Sequence, residues 1–427
     1  MLYLKEANLQ DVKAEYEFVR EIPTDENGFT SKWNGCDWDI FVEKALPEML
    51  DYAMGKNLPE GFVPETFYFL WNDNVIVGEF RIRHYLCDSL RVGAGHIGYY
   101  IGKEYRGKGY AKEGLRLTLL KAKEIVPEEE IYLRVNKNNP ASLRVQLCNG
   151  GYIKGEDETS YFVRIRKESI MDIPEAINTL GRFCGMRDIP ELTQQALQKK
   201  YGFPKADVMV LFGGSILAGG DLLADAMANG VAKTYVVVGG EGHTTQTLRD
   251  VVHAEYPKME TDGLPEAEVY ARYLKTVYGV VPDDLETAST NCGNNITNLL
   301  TLLEKNGVDH KSVILCQDAT MQRRMDAGMR KYAPEGTIII NYATYRAAVT
   351  HGGYAEKIHG MWNVDRYVNL LMGEIPRLRD DAYGYGPKGK GFIAHVDIPD
   401  EVEDAFRVLR EAFGTGTREA NPLYASK

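Results

Sequence analysis

The chain has 427 residues, 44% hydrophobic and 26% charged, with 42 Gly and 17 Pro, an ordinary globular composition whose length suggests two domains or more. Its 50 basic and 61 acidic side chains leave a formal net charge of −11, which opposes general binding to a phosphate backbone. The N-terminal stretch lacks a signal-peptide core, the most apolar window (208–219) is too short to span a bilayer, and the 6 cysteines and 8 histidines form neither C-x-x-C nor H-E-x-x-H. Together these features predict a cytoplasmic protein with no nucleic-acid partner, no membrane and no structural metal.

In chain order, residues 1–19 predict a strand and an amphipathic helix. A second helical run over 41–55 sets Phe41, Ala45, Leu46, Met49 and Met54 on one face. Residues 67–71, an Asn72-Asp73-Asn74 turn and 75–83 read as a β-hairpin. Residues 96–101 are short, aromatic and β-branched, as in a strand, and Arg106-Gly107-Lys108-Gly109-Tyr110-Ala111 is a glycine-rich turn before a helix over 112–124 that aligns Leu115, Leu119 and Ala122. Such a unit suits an anion, because the first amides of a helix have no intrahelical acceptor and glycine admits close approach. A strand at 131–135, a helix ending at Gly150-Gly151 and a strand at 161–165 complete a mixed α/β layer over 1–168.

Arg106, Gly109 and Ala111 fill the [QR]-x-x-G-x-[GA] pattern, and Asn139-Pro140-Ala141-Ser142-Leu143-Arg144-Val145 fills N-P-x-S-x-x-V. In this order the motifs resemble those of the GNAT N-acetyltransferases. The resemblance implies acetyl-CoA as cofactor, with its pyrophosphate on Arg106, Gly107, Lys108, Gly109, Tyr110 and Ala111. Its pantetheine would lie along Tyr99, Tyr100 and Ile101, with Asn139 and Ser142 opposite. Acyl transfer to an amine also needs a group to take the amine proton and one to reprotonate the thiolate. His96 is the candidate base, with Glu79 and His84 on the preceding strand as further candidates; a structural role for His96 is the competing reading. Many family members carry a tyrosine acid seven residues after the motif asparagine, where this chain has Gln146. The acceptor loops, 24–35 and 87–94, are read as irregular and do not name the acyl acceptor.

Residues 169–200 read as a helical connector, with helix starts at Asp172 and Asp188 before Pro174 and Pro190. From residue 201 onward short apolar runs (207–212, 234–238, 312–316, 337–342) alternate with helices, the pattern of a Rossmann-like parallel sheet buried on both faces. Ligands in such sheets seat at the carboxyl ends of the strands. Those ends carry Gly213, Gly214 and Ser215, then Gly240 and Gly242, then Glu266, then Ser289, Asn291 and Asn295, and finally Arg323. Their order, with the tail motifs at 373–378 and 384–387, resembles the YdcF/ElyC/SanA family, although Pro265, Cys292, Asn294 and Thr320 depart from its pattern. Glycine loops and an arginine fork suit an anionic or nucleotide-like ligand; helix capping by Ser289 or Asn291 is the alternative. Tyr383 and Tyr385 are expected to pack, and the tail after Thr415 shows no motif. The chain thus reads as an acetyl-CoA-dependent N-acetyltransferase fused to a YdcF-like domain. The alternative is a metabolite sensor whose acetyltransferase module has lost catalysis.

Overall fold

The continuous apolar run over 67–71 suits a strand covered on both faces, and the computed structural model, which describes residues 2–242 and 244–414, has one there. Strands β1 (Leu2–Glu6), β2 (Glu65–Asn72), β3 (Val75–Arg83) and β4 (Ile97–Ile101) pair antiparallel in that order. Tyr68, Leu70, Phe80 and Ile82 pack on one face against Leu115 and Leu119 of helix α3 (Tyr110–Ile125). Phe67, Phe69 and Trp71 pack on the other against Val19 of α1 (Val12–Val19) and Leu46 and Met49 of α2 (Leu46–Ala53). Met54, expected on that face, follows the end of α2 and is 59% exposed.

A second sheet of the same unit pairs β5 (Glu130–Asn136), β7 (Ser160–Arg166) and β6 (Tyr152–Glu156), with helix α4 (Pro140–Cys148) between β5 and β6. Strand β6 is not among the expected strands, because Tyr152–Glu156 has three exposed side chains, one glycine within it and two before it, and so lacks an apolar stripe. The chain divides into two compact units, the first ending at Asp172 and the second beginning at Ile173.

The second unit is built on five parallel strands in the order β10 (Asp284–Glu286), β9 (Ala232–Val238), β8 (Ala206–Phe212), β11 (Ser312–Cys316), β12 (Ile338–Asn341). Both faces are covered. Met209, Leu211 and Val237 face Leu223 of α7 (Ala218–Asn229), Leu248 of α8 (Thr245–Glu255) and Tyr270 of α9 (Glu266–Tyr278). Val208, Val210 and Val236 face Leu299 of α10 (Cys292–Lys305) and Met325 of α11 (Gln322–Tyr332). Strand order reverses between β8 and β11, which makes a crevice at their carboxyl ends.

From Ile173 onward the segment expected as a connector belongs to this second unit. Its helix α5 (Ile173–Cys184) buries Ile177, Leu180 and Phe183 and packs on α13 (Asp400–Phe413). The next helix, α6 (Gln194–Tyr201), begins later than Asp188 suggested, because the Thr193 side chain caps it by accepting from Ala196 N–H. Asp188 instead accepts from the backbone N–H of Asn341 at 2.6 Å. The tail motif at 373–378 lies inside helix α12 (Val364–Leu378). Tyr383 is 88% exposed rather than packed. The tail from Thr415 lies outside the described residues, among which no helix is long and apolar enough to cross a membrane.

Candidate functional site

In the first unit, β4 is laddered to β3 along one edge, from Ile82↔Ile97 to Gly78↔Ile101. On its other side it meets the second sheet only at its root, where Gly95 bridges Leu133 and His96 N–H donates to Tyr132 O at 2.8 Å. Tyr99, Tyr100 and Ile101 have no ladder partner on that side among the described residues. Just beyond, Gly107 and Gly109 hold φ of +77° and +80°, which L side chains rarely adopt, and no atom lies within 4 Å of a Cβ built on either. The amides of Gly107, Lys108, Gly109, Tyr110 and Ala111 donate to no acceptor among the described residues. They stand at the positive end of the 16-residue helix α3.

Arg106 is less free than the sequence implied. Its Nη1 donates to Glu26 at 2.7 Å, its Nε to Ile101 O at 3.0 Å, and its guanidinium lies 5.4 Å from the Tyr100 ring. Glu26 belongs to a small hairpin, Asp25–Glu26 with Phe29–Thr30, in the stretch read as an irregular acceptor loop. Asn27 and Gly28 both take positive φ, 55° and 88°, the signature of a two-residue Asn-Gly turn, whose signal in the sequence is the Asn-Gly pair itself. Phe29 stacks on Tyr100 at 5.7 Å, and Arg81 donates to Thr30 O at 3.0 Å, so aromatic contact and hydrogen bonding both hold the hairpin to the sheet.

Across from β4, Asn139 caps α4 by accepting from Ser142 N–H at 3.1 Å. The Tyr99 hydroxyl meets Ser142 Oγ at 2.7 Å, and Gln146 Nε2 donates to the same Oγ at 3.3 Å. Burial pushes Tyr99 up to about 12, so it stays a neutral hydroxyl. Gln146 is 1% exposed, and its Oε1 has no partner. Lys108 lies over the Tyr105 ring, and the Tyr110 hydroxyl accepts from Asn72.

The candidate bases separate clearly. His96 is fully buried; its Nδ1 accepts from Tyr132 N–H at 2.9 Å and its Nε2 meets Glu128 at 3.2 Å. Burial lowers its pKa, and with both nitrogens committed no lone pair remains for a substrate proton. This corrects the expectation of a base and makes His96 the tie between the two sheets. His84 is bonded to Thr66 at 2.8 Å. Glu79 is also fully buried: its Oε1 accepts from Arg81 at 2.5 Å, its Oε2 is unpartnered, and burial raises its pKa. Glu79 stands directly across the ladder from Tyr100.

These features fit acetyl-CoA. The unpartnered amides and open space at Gly107 and Gly109 suit a pyrophosphate, while the unladdered edge of β4 and the orphaned Gln146 oxygen suit an arm carrying amide N–H groups.

In the second unit the loops do converge at the strand ends, but their chemistry differs from expectation. Gly213 N–H donates to Val238 O, Gly240 N–H to Ser289 Oγ and Gly242 N–H to Thr245 Oγ1, so these three amides are not available to an anion. Ser215 Oγ accepts from Trp362 Nε1 at 3.0 Å. Glu266 accepts from Thr244 and Thr245 at 2.8 and 3.0 Å, and burial pushes it up to about 7. Its carboxyl lies so close over Gly213 that a Cβ there would sit 2.2 Å from Oε2, which is why that position is glycine. Asn291 caps α10, accepting from Gly293 and Asn294, and half-buried Asn295 follows in the first turn.

The Arg323 side chain is taken up by Phe183. Its Nε donates to Phe183 O at 2.5 Å and its guanidinium covers the Phe183 ring at 4.0 Å. The next residue, Arg324, makes the bidentate ion pair, with Glu374 at 2.6 and 2.9 Å. Gln317 and Asp318 follow β11 beside Gly214, directly after the apolar run 312–316.

Residues 24–151 match the family described as "Acetyltransferase (GNAT) domain", so this segment is an acetyltransferase domain of that type. Among solved structures, a GNAT acetyltransferase from Streptococcus pneumoniae is 17% identical, with 39% of this chain and 99% of that one covered and a TM-score of 0.28. Spermidine N-acetyltransferase from Vibrio cholerae, in complex with CoA and spermine, is also 17% identical, at 39% and 95% coverage and a TM-score of 0.28. RimJ from Mycobacterium smegmatis, in complex with CoA-disulfide, is 19% identical, at 40% and 84% coverage and a TM-score of 0.31.

Proposed function

We propose, from the premise that residues 24–151 form an acetyltransferase domain, that the first unit transfers an acetyl group from acetyl-CoA to an amine. The observation that carries this reading is the run of amides from Gly107 to Ala111 that donate to nothing else at the head of α3. In this reading those amides hold the pyrophosphate, with Arg106 and Lys108 adding charge. Tyr99, Tyr100 and Ile101 line the arm, and Ser142 and Gln146 face it. Acetyl-CoA supplies an acetyl group activated as a thioester. Glu79 takes the proton of the acceptor amine, a role favoured by its unpartnered Oε2, its raised pKa and its position across from Tyr100. Tyr99, through Ser142, offers the nearest hydroxyl proton.

Calorimetric titration of CoA into the wild-type protein and the Gly109→Asp variant tests the loop. The carboxylate would meet the pyrophosphate with like charge, so the variant should give no measurable heat. Equal affinity in the two proteins would remove the loop from the reading.

Gln146 favours a second reading, in which the first unit binds acetyl-CoA without transferring from it, because an amide side chain carries no acidic proton. Thiol release from acetyl-CoA over a panel of primary amines separates the two. We read the second unit as a YdcF-like module that holds a nucleotide-like small molecule at its strand ends. That reading is supported by the loops after β8 and β11, which meet at the reversal of strand order.

A further inference from the structure

The crevice between β8 and β11 contains a narrow cleft lined in part by Gly214, Ile216, Tyr270, Gln317, Asp318 and Thr344. Its polar groups do not match the phosphate cradle that glycine loops suggest. Gln317 is 1% exposed, and its Oε1 accepts from Asp318 N–H at 2.6 Å. That bond sets the orientation of the amide and leaves Nε2 as a buried donor without an acceptor. The backbone beneath is held firmly, since Gln317 N–H donates to Gln322 Oε1 at 2.8 Å. Asp318 accepts from Thr320 N–H, the Thr320 hydroxyl and the Tyr345 hydroxyl at 3.0, 2.9 and 2.5 Å, and all three bonds land on Oδ1. Its Oδ2 is the acceptor that remains.

The cleft therefore presents a donor from one residue and an acceptor from the next. Its interior has room for a single water-sized group. An oxyanion would satisfy Gln317 Nε2 but would confront Asp318, with the amides of Gly213, Gly240 and Gly242 already committed. An ammonium group would satisfy Asp318 but could not accept from Gln317. A hydroxyl does both from one atom and leaves neither side chain unpaired.

We propose that Gln317 and Asp318 recognise a ring hydroxyl of a ribose-bearing small molecule. The inference rests on the reading of the second unit as a nucleotide-like ligand module and names the group by which that ligand is read.

The test uses the full-length protein in calorimetric titrations with adenosine, 2′,3′-dideoxyadenosine and D-ribose at millimolar concentration. Adenosine should bind at least tenfold more tightly than its dideoxy analogue. Gln317→Leu should erase that difference, and Asp318→Asn should weaken adenosine without loss of folded protein, as thermal unfolding would report. Equal affinity for the two nucleosides would overturn hydroxyl recognition while leaving a nucleoside ligand standing. No heat from any of the three probes would overturn both. A Gln317→Leu protein that is folded and still prefers adenosine would also overturn the assignment.

Discussion

Glu26 and Arg106, 80 positions apart in the chain, close an ion pair of 2.7 Å that joins the Asp25–Thr30 hairpin to the glycine loop. Hydrogen bonding to Arg106 holds the Glu26 carboxyl below its ordinary range. The carboxylate thus occupies part of the guanidinium fork that the cofactor reading assigns to a phosphate. Exposed pairs of this kind are worth about 0.2–1 kcal/mol, so Glu26→Gln should tighten CoA binding by up to about fivefold, and less at high salt. Calorimetry at two ionic strengths checks it. Weaker binding by the variant would mean that Glu26 orients Arg106 rather than competing for it.

Glu15 predicts a pH dependence. It is fully buried, its Oε1 accepts from Asn8, its Oε2 has no partner, and burial pushes its pKa from 4.5 up to about 8. The folded state therefore holds a proton that the unfolded state releases. The contribution to stability is complete below pH 4.5 and is lost as the pH rises toward 8, with a slope of at most about 1.4 kcal/mol per pH unit. Glu15→Gln keeps the acceptor for Asn8 and should remove that slope. Urea unfolding at pH 5, 7 and 9 would show parallel wild-type and variant curves if Glu15 stays ionised in the fold.

Arg323 and Arg324 should behave very differently although they are neighbours. Arg324→Met removes both hydrogen bonds to Glu374, which is 4% exposed and keeps, among the described residues, only Arg377 at 3.8 Å, and breaking a buried pair costs about 3–5 kcal/mol. Arg323→Ala loses a bond to Phe183 O and a ring contact, roughly 1–2 kcal/mol. Thermal unfolding of both variants gives the order; a larger loss for Arg323 would contradict the packing described.

The boundary of the first unit can be tested by truncation. Ile170 is 5% exposed in the core with Leu119 and Ile165, and its carbonyl accepts from Lys123 at 2.7 Å. A fragment ending at residue 172 should fold and bind CoA. One ending at residue 168 loses that side chain, worth about 1.5–3 kcal/mol, and should melt roughly 5 °C lower. Equal melting temperatures would free the last residues from the core.

Short-range periodicity determined most of the architecture. Leu115, Leu119 and Ala122 at helical spacing lie at 0–2% exposure on α3. The nearly all-apolar strands β8, β9 and β11 became a parallel sheet covered on both faces, because a strand with no polar side can only be buried twice. The anion-ready turn at Gly107 and Gly109 was legible for the same reason: positive φ and free first-turn amides are local properties of the chain.

What each polar group bonds to was settled only by tertiary contacts. His96 owes its commitment to Tyr132 and Glu128, 36 and 32 positions away, and Gly240 gives its amide to Ser289, 49 positions away. Nothing within a few residues of either announces those partners. On a helix, successive side chains point about 100° apart, so the same pattern that marked Arg323 could not say that Arg324 would face Glu374. The three-residue edge strand β10 and the polar strand β6 carry too little apolar pattern to be seen alone, and exist because a neighbouring strand offers its edge. Periodicity is a property of the chain; the pairing of buried donors with acceptors belongs to the packed molecule, where an unmet partner is costly and the nearest one in space is seldom the nearest in sequence.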